Sequence, residues 1–151
     1  IGRAEILREG NGEAAIIAYG SMVYPSMDAA ERLSKDGIDA TVVNARWVKP
    51  LDEDLICDLA RSNRVLVTVE EAYLAGGFGS AVMELLEERG LLGNLKLVRM
   101  GVPDRIITHG DPKLLLAKYG LDADGIYSRT RELVEALENR GQSRKTLKVV
   151  K

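Results

Sequence analysis

Short apolar runs alternate along this chain with segments whose apolar positions recur every three or four residues. Residues 14–19, 38–43, 64–69 and 95–98 are rich in Ile, Val, Leu and Ala with few polar breaks. Their length and near-continuous apolarity predict parallel strands covered on both faces. Residues 5–8 predict a shorter extended arm, and Gly10-Asn11-Gly12 predicts a hairpin joining that arm to the run at 14–19. Between the strands, helices are predicted from Pro25 to Lys35 before Gly37, and from Asp52 to Ser62 with acids in the first turn. A third carries Val82, Leu85 and Leu86 on one face and stops at Gly90, and a fourth opens at Asp111-Pro112. In the last, Ile126, Thr130, Leu133, Val134 and Leu137 form one stripe. Strands separated by helices of this length require right-handed crossovers. The predicted fold is therefore α/β: a three-layer, doubly wound, mostly parallel sheet of about five strands, with the N-terminal arm as an antiparallel edge.

Composition narrows this picture without changing it. At 151 residues, 46% hydrophobic and 29% charged, the chain is the size of one globular domain. One domain is expected over residues 1–139, followed by a flexible basic tail over 140–151. That tail holds Arg140, Arg144, Lys145, Lys148 and Lys151, five of the 21 basic residues, with no acid after Glu138. The body is left acidic, which argues against a nucleic-acid surface. No apolar run approaches the ~20 residues of a membrane span. The lone Cys57 excludes an internal disulfide and a cysteine-rich zinc site, and fits a reducing, cytoplasm-like compartment. The chain starts at Ile1 rather than Met, as a piece of a longer protein would.

In an open α/β sheet, ligands and partners meet the crevice beyond the carboxyl ends of the strands. Residues 20–22, 44–47, 70–80 and 101–110 fall there. Gly76, Gly77 and Gly79 invite a phosphate-loop reading, but the stretch lacks the third glycine of a dinucleotide fingerprint and any Gly-Lys-Ser/Thr element. The plainer expectation is a tight turn that lets a helix pack close to the sheet. Glu70 and Glu71 are adjacent in an extended segment and so point opposite ways. The expected role for one is to accept backbone N–H bonds from the glycine loop. His109 is the only histidine, and a triad with Ser21 and Asp104 is disfavoured because Ser21 is not in a Gly-x-Ser-x-Gly elbow. Cys57 reads as core filler. Arg46-Trp47 fits an interface anchor or a packed turn equally well. From the residues alone, no catalytic, cofactor-binding or metal-binding residue is assigned to this domain.

Several of these segments, in this order, resemble the C-terminal domain of the transketolase group. They are Ile6-Leu7-Arg8-Glu9-Gly10, Ala18-Tyr19-Gly20-Ser21-Met22-Val23, the stretch Val42 to Asp52 with its Arg46-Trp47-Val48-Lys49-Pro50-Leu51-Asp52 element, and Val69-Glu70-Glu71 followed by Gly76-Gly77-Phe78-Gly79-Ser80. The closing part, Gly101-Val102-Pro103-Asp104-Arg105 with Thr108-His109-Gly110 and then Tyr119 to Ile126, resembles the 1-deoxy-D-xylulose-5-phosphate synthases within that group. The resemblance implies an activity for a larger parent: condensation of pyruvate with glyceraldehyde 3-phosphate, with loss of CO2, on thiamine diphosphate. It also implies that the cofactor and Mg²⁺ are held by an earlier domain through a Gly-Asp-Gly…Asn motif, which is missing here. The isolated domain is expected to be inactive. It would dock on its own upstream domains and on a second subunit of a homodimer through Ser21, Arg46, Trp47, Glu70, Glu71, Gly76, Gly77, Gly79 and His109. The alternatives are the β subunit of a 2-oxo acid dehydrogenase and a stand-alone nucleotide or anion binder.

Overall fold

The computed structural model describes residues 1–105 and 110–149, with side-chain surroundings up to residue 140. Five strands, β1 (Glu5–Arg8), β2 (Ala14–Ala18), β3 (Thr41–Asn44), β4 (Val65–Tyr73) and β5 (Lys96–Val102), form one sheet in the order β1-β3-β2-β4-β5. The inner pairings β2–β3, β2–β4 and β4–β5 are parallel, and β1 runs antiparallel to β3. Helices α1 (Val23–Lys35), α2 (Glu53–Ser62), α3 (Phe78–Glu88), α4 (Pro112–Lys118) and α5 (Ala123–Val149) supply the crossovers and the C-terminal layer. The expected doubly wound, mostly parallel fold with an antiparallel N-terminal edge is the one observed.

Alternate residues of each strand feed opposite cores, as the two-residue period of a strand requires. Ile16, Ala18, Val42, Val67 and Val69 pack with Ala29, Ala30 and Leu33 of α1 and Ile126, Leu133 and Val134 of α5. Ala15, Ile17, Val43 and Leu66 pack on the other face with Ile56 and Leu59 of α2 and Val82, Leu85 and Leu86 of α3. Each fully buried Ile or Leu contributes about 1.5–3 kcal/mol of transfer free energy, so the two cores together define the three layers. Cys57 is buried in the second core, as its helix position predicts.

The predicted hairpin between residues 5–8 and 14–19 does not form. Both edges of β2 are taken by β3 and β4, so the arm passes on to the outer side of β3. The glycine turn serves this crossing. Gly10 N–H bonds to Thr41 Oγ1 at 3.0 Å and Asn11 N–H to the Asp39 carbonyl at 3.0 Å. A Cβ on Gly10 would overlap the backbone of Asp39 to Thr41, so only glycine allows the approach. The arm is also pinned by Asp52, whose carboxylate accepts the Ala4 N–H at 2.9 Å and caps α2 through the Leu55 N–H at 3.4 Å.

Strand boundaries differ from the pattern in three places, one being β5, which runs on to Val102 instead of ending at Val98. The run predicted from Ile38 begins as a strand only at Thr41, because Gly37, at φ 84°, ends α1 and the Ile38 N–H bonds back to the Leu33 carbonyl. Ile38 is thus the buried apolar contact that follows a left-handed helix cap. At the other end, β4 continues past Val69 through Glu70 and Glu71 to Tyr73, which carries both carboxylates on the sheet itself.

Candidate functional site

The strand order reverses direction at β2. The chain leaves β2 for β3 on one side and returns for β4 on the other, which opens a crevice beyond the carboxyl ends of β2 and β4. The Tyr19 N–H bonds to the Val69 carbonyl at 2.9 Å, and the Ala45 N–H to the Ala18 carbonyl at 2.8 Å. These bonds carry the pairing past the ends of the strands. Above them, Ser21 Oγ donates to the Glu71 carboxylate across the crevice, and both side chains are exposed. Ser21 sits in a short 3-10 turn, Gly20–Met22, so it enters from the loop rather than from a nucleophile elbow.

Glu70 and Glu71 point opposite ways, as neighbours on a strand must. Glu70 is 1% exposed, a carboxylate removed from water that requires strong partners. It has them: Oε2 accepts the Phe78 N–H at 2.7 Å and Oε1 accepts the Gly79 N–H at 2.8 Å. Those donors belong to the first turn of α3, where orphan N–H groups and the helix dipole favour a negative charge. The predicted pairing of one glutamate with the glycine loop is therefore the arrangement found. It also removes the anion-binding reading of that loop, because an internal carboxylate already occupies these two donors.

The glycines are explained by the same carboxylate. A Cβ on Gly77 would overlap Glu70 Oε2 and the Tyr73 carbonyl oxygen, and one on Gly79 would lie 2.5 Å from Thr68 Oγ1. Gly76 has φ 71°, a left-handed conformation that favours glycine. The turn is further held by Ser80 Oγ, which donates to the Leu74 carbonyl at 2.7 Å and accepts the Gly76 N–H at 3.1 Å. Arg99 of β5 completes the knot: its Nη1 donates to the Leu74 carbonyl at 2.9 Å and to Ser80 Oγ at 2.8 Å. The sequence reading did not single out Arg99. The available signal was a charged residue inside the apolar run Leu97-Val98-Arg99-Met100.

Arg46 and Trp47 lie past the end of β3 on the same edge. Arg46 takes φ 59°, uncommon for a residue with a side chain, and its N–H bonds to Asn44 Oδ1 at 3.2 Å. Its side chain is exposed and Trp47 is 37% exposed, so the tryptophan is not core filler. No hydrogen bond or ion pair joins Arg46 or Trp47 to Ser21 or Glu71 among the described residues. His109 lies outside the described residues, and with it the triad that Ser21 and Asp104 would have completed. Ser21 Oγ is instead bonded to Glu71. Among the described residues there is no group of three or more His, Cys, Asp or Glu that could hold a metal ion, and no helix long and apolar enough to cross a membrane.

Comparison with known proteins accords with this geometry. The family model of the transketolase C-terminal domain matches residues 2–126. A 1-deoxy-D-xylulose-5-phosphate synthase 1 from Geobacter metallireducens is 54% identical over 135 residues, covering 89% of this chain and 21% of the relative. The 1-deoxy-D-xylulose-5-phosphate synthase of a Synechococcus strain (JA-3-3Ab) is 52% identical over 143 residues, covering 95% of this chain and 22% of the relative. The chain thus spans about a fifth of the length of these curated relatives. Among solved structures, a split-gene transketolase described as an inactive β4 tetramer superposes with a TM-score of 0.80 at 36% identity, covering 89% of this chain and 43% of that one. A transketolase mutant from Pichia stipitis shares the fold, with a TM-score of 0.62 at 17% identity over 87% of this chain and 18% of that one. With the family model spanning most of the sequence and the doubly wound sheet in agreement with it, this chain belongs to the transketolase C-terminal domain family.

Proposed function

We propose that this chain is the C-terminal docking domain of a 1-deoxy-D-xylulose-5-phosphate synthase. The intact enzyme would join pyruvate to glyceraldehyde 3-phosphate with loss of CO2, using thiamine diphosphate and Mg²⁺. The observation that carries the reading is the 54% and 52% identity, over about nine tenths of this chain, to relatives of that name. The residues present do not fit the cofactor site itself. There is no Gly-Asp-Gly motif, and the buried carboxylates at helix starts, Glu70 and Asp52, are each already bonded to two backbone N–H groups. No step of the reaction is therefore assigned to this domain.

What its residues supply is a rigid edge. Glu70, Ser80 and Arg99 fix the turn before α3, and Ser21 with Glu71 ties the ends of β2 and β4. A catalytic constellation has to be held within ~0.5 Å by supporting structure, and a docked domain with a fixed edge meets that need. In this reading the exposed groups of the edge, Ser21, Arg46, Trp47 and Glu71, together with the glycine turn, face the upstream domains and the second subunit of a cytoplasmic homodimer. The test is to express the intact protein and measure product formation from pyruvate and glyceraldehyde 3-phosphate. The reading requires thiamine-diphosphate-dependent product from the intact protein and none from residues 1–151 alone. Absence of product from an intact, folded, cofactor-loaded protein would overturn it.

A further inference from the structure

A second feature lies at the opposite, amino edge of the sheet and does not depend on the docking reading. Arg64 immediately precedes β4, Lys96 opens β5 beside it, and Arg140 reaches the same place from α5. The Lys96 N–H bonds to the Arg64 carbonyl at 3.1 Å, which fixes the first two as neighbours. The three side chains line one cleft of about 460 Å³, and no acidic side chain lines it. Arg3, Arg8, Arg32, Arg61, Arg89, Arg129 and Arg131 each reach a carboxylate, whereas the side chains of Arg64, Lys96 and Arg140 have no ion pair or hydrogen bond among the described residues. Lys35, Arg46, Lys49, Lys113 and Lys118 also lack an ion pair or side-chain hydrogen bond among the described residues, but Arg64, Lys96 and Arg140 share one cleft. The cleft also takes in Gly93 and Asn94, whose backbone N–H groups have no partner among the described residues.

Arg64, Lys96 and Arg140 are exposed, and three cations from three elements on one cleft with no carboxylate among its lining residues present a charge complementary to an anion. The volume is within the range of small-ligand sites, about 300–1,000 Å³. Guanidinium forks and free backbone N–H groups are the donors that suit phosphate oxygens. We propose that this cleft binds the diphosphate group of a small molecule, whose charge of about −3 at neutral pH would match the three cations.

The probe is inorganic diphosphate, titrated calorimetrically into the 151-residue chain at low salt, with orthophosphate and a single-stranded RNA as competitors. Saturable one-site binding is expected, weakened about tenfold or more in Arg64→Gln and again in Lys96→Gln, and unchanged in Lys113→Gln on the exposed face of α4. Without ligand, Arg64→Gln should melt at the same temperature or about 1 °C higher, because removing one like charge relieves repulsion. Absence of saturable binding would overturn the proposal, as would equal affinity in the Arg64→Gln/Lys96→Gln double variant. So would orthophosphate binding as tightly as diphosphate, or a response to RNA alone. A fall in the ligand-free melting temperature of Arg64→Gln would assign these side chains to packing and count against the site.

Discussion

Glu70 Oε1 accepts the backbone N–H of Gly79 at 2.8 Å, nine residues along the chain, and so places a buried carboxylate against the first turn of α3. With Oε2 on the Phe78 N–H, it occupies helix-start N–H donors of the kind that can hold an external anion. A Gly-rich turn after a strand is thus used here for internal rigidity.

Glu70→Gln keeps the shape of the side chain but turns one acceptor into a donor facing an N–H. The expected cost is about 2 kcal/mol, since hydrogen bonds to charged groups are worth about 1.5–3 kcal/mol and one backbone donor is left buried and unpaired. Urea unfolding of the 151-residue chain measures it. A loss below about 0.5 kcal/mol would mean that the carboxylate is not what holds the turn.

Gly77→Val should be far more damaging than Gly93→Ala. A Cβ at 77 meets Glu70 and the Tyr73 carbonyl, so the substitution forces the turn open at a cost of about 3 kcal/mol. At Gly93 nothing lies within 4 Å of the new Cβ and φ is not in the left-handed region, so stability should stay level or rise by up to about 0.5 kcal/mol. In the intact parent, Gly77→Val should also impair subunit assembly, read by sedimentation.

Asp52→Ala removes two bonds at once, the cap on α2 and the anchor of the N-terminal arm at Ala4. A loss of about 1–3 kcal/mol is expected from a cap plus a part-buried charged acceptor. Hydrogen exchange at the Ala4 amide should rise with it. Stability changed without faster exchange at Ala4 would separate the two roles.

Thr68 is fully buried on β4, and its Oγ1 has no hydrogen-bond partner among the described residues. Thr68→Val replaces the hydroxyl with a methyl of similar shape and should stabilise by about 1 kcal/mol, a rise of roughly 2–4 °C in melting temperature. A lower melting temperature would show that the hydroxyl has a role in the packing against Gly79.

Most of the architecture is legible in the sequence because the inner strands are short continuous apolar runs alternating with helical segments, the pattern of a doubly covered parallel sheet. The partner of β1 was not legible. A Gly-Asn-Gly turn reads locally as a hairpin, whereas the competition for the edges of β2 is a tertiary fact that no local window contains. At the candidate site, the opposite orientation of Glu70 and Glu71 follows from strand periodicity and was predictable. The Ser21–Glu71 bond spans fifty residues and depends on β2 and β4 being neighbours, and Arg99 depends on β5 lying beside the turn at Leu74. Both need the strand order before they can be seen.

The central claim is that the carboxyl edge docks this domain into a larger enzyme, and its most direct test is a pair of exposed substitutions there. Trp47→Ala with Glu71→Lys, made in the intact protein, should lower turnover about tenfold or more, or shift the sedimentation of the assembly to smaller species. The stability of the 151-residue chain carrying the same pair should fall by no more than about 1–2 kcal/mol. Lys35→Gln, exposed at the amino edge, is the control and should leave both unchanged. Unaltered turnover and assembly in the Trp47→Ala/Glu71→Lys protein would contradict the account.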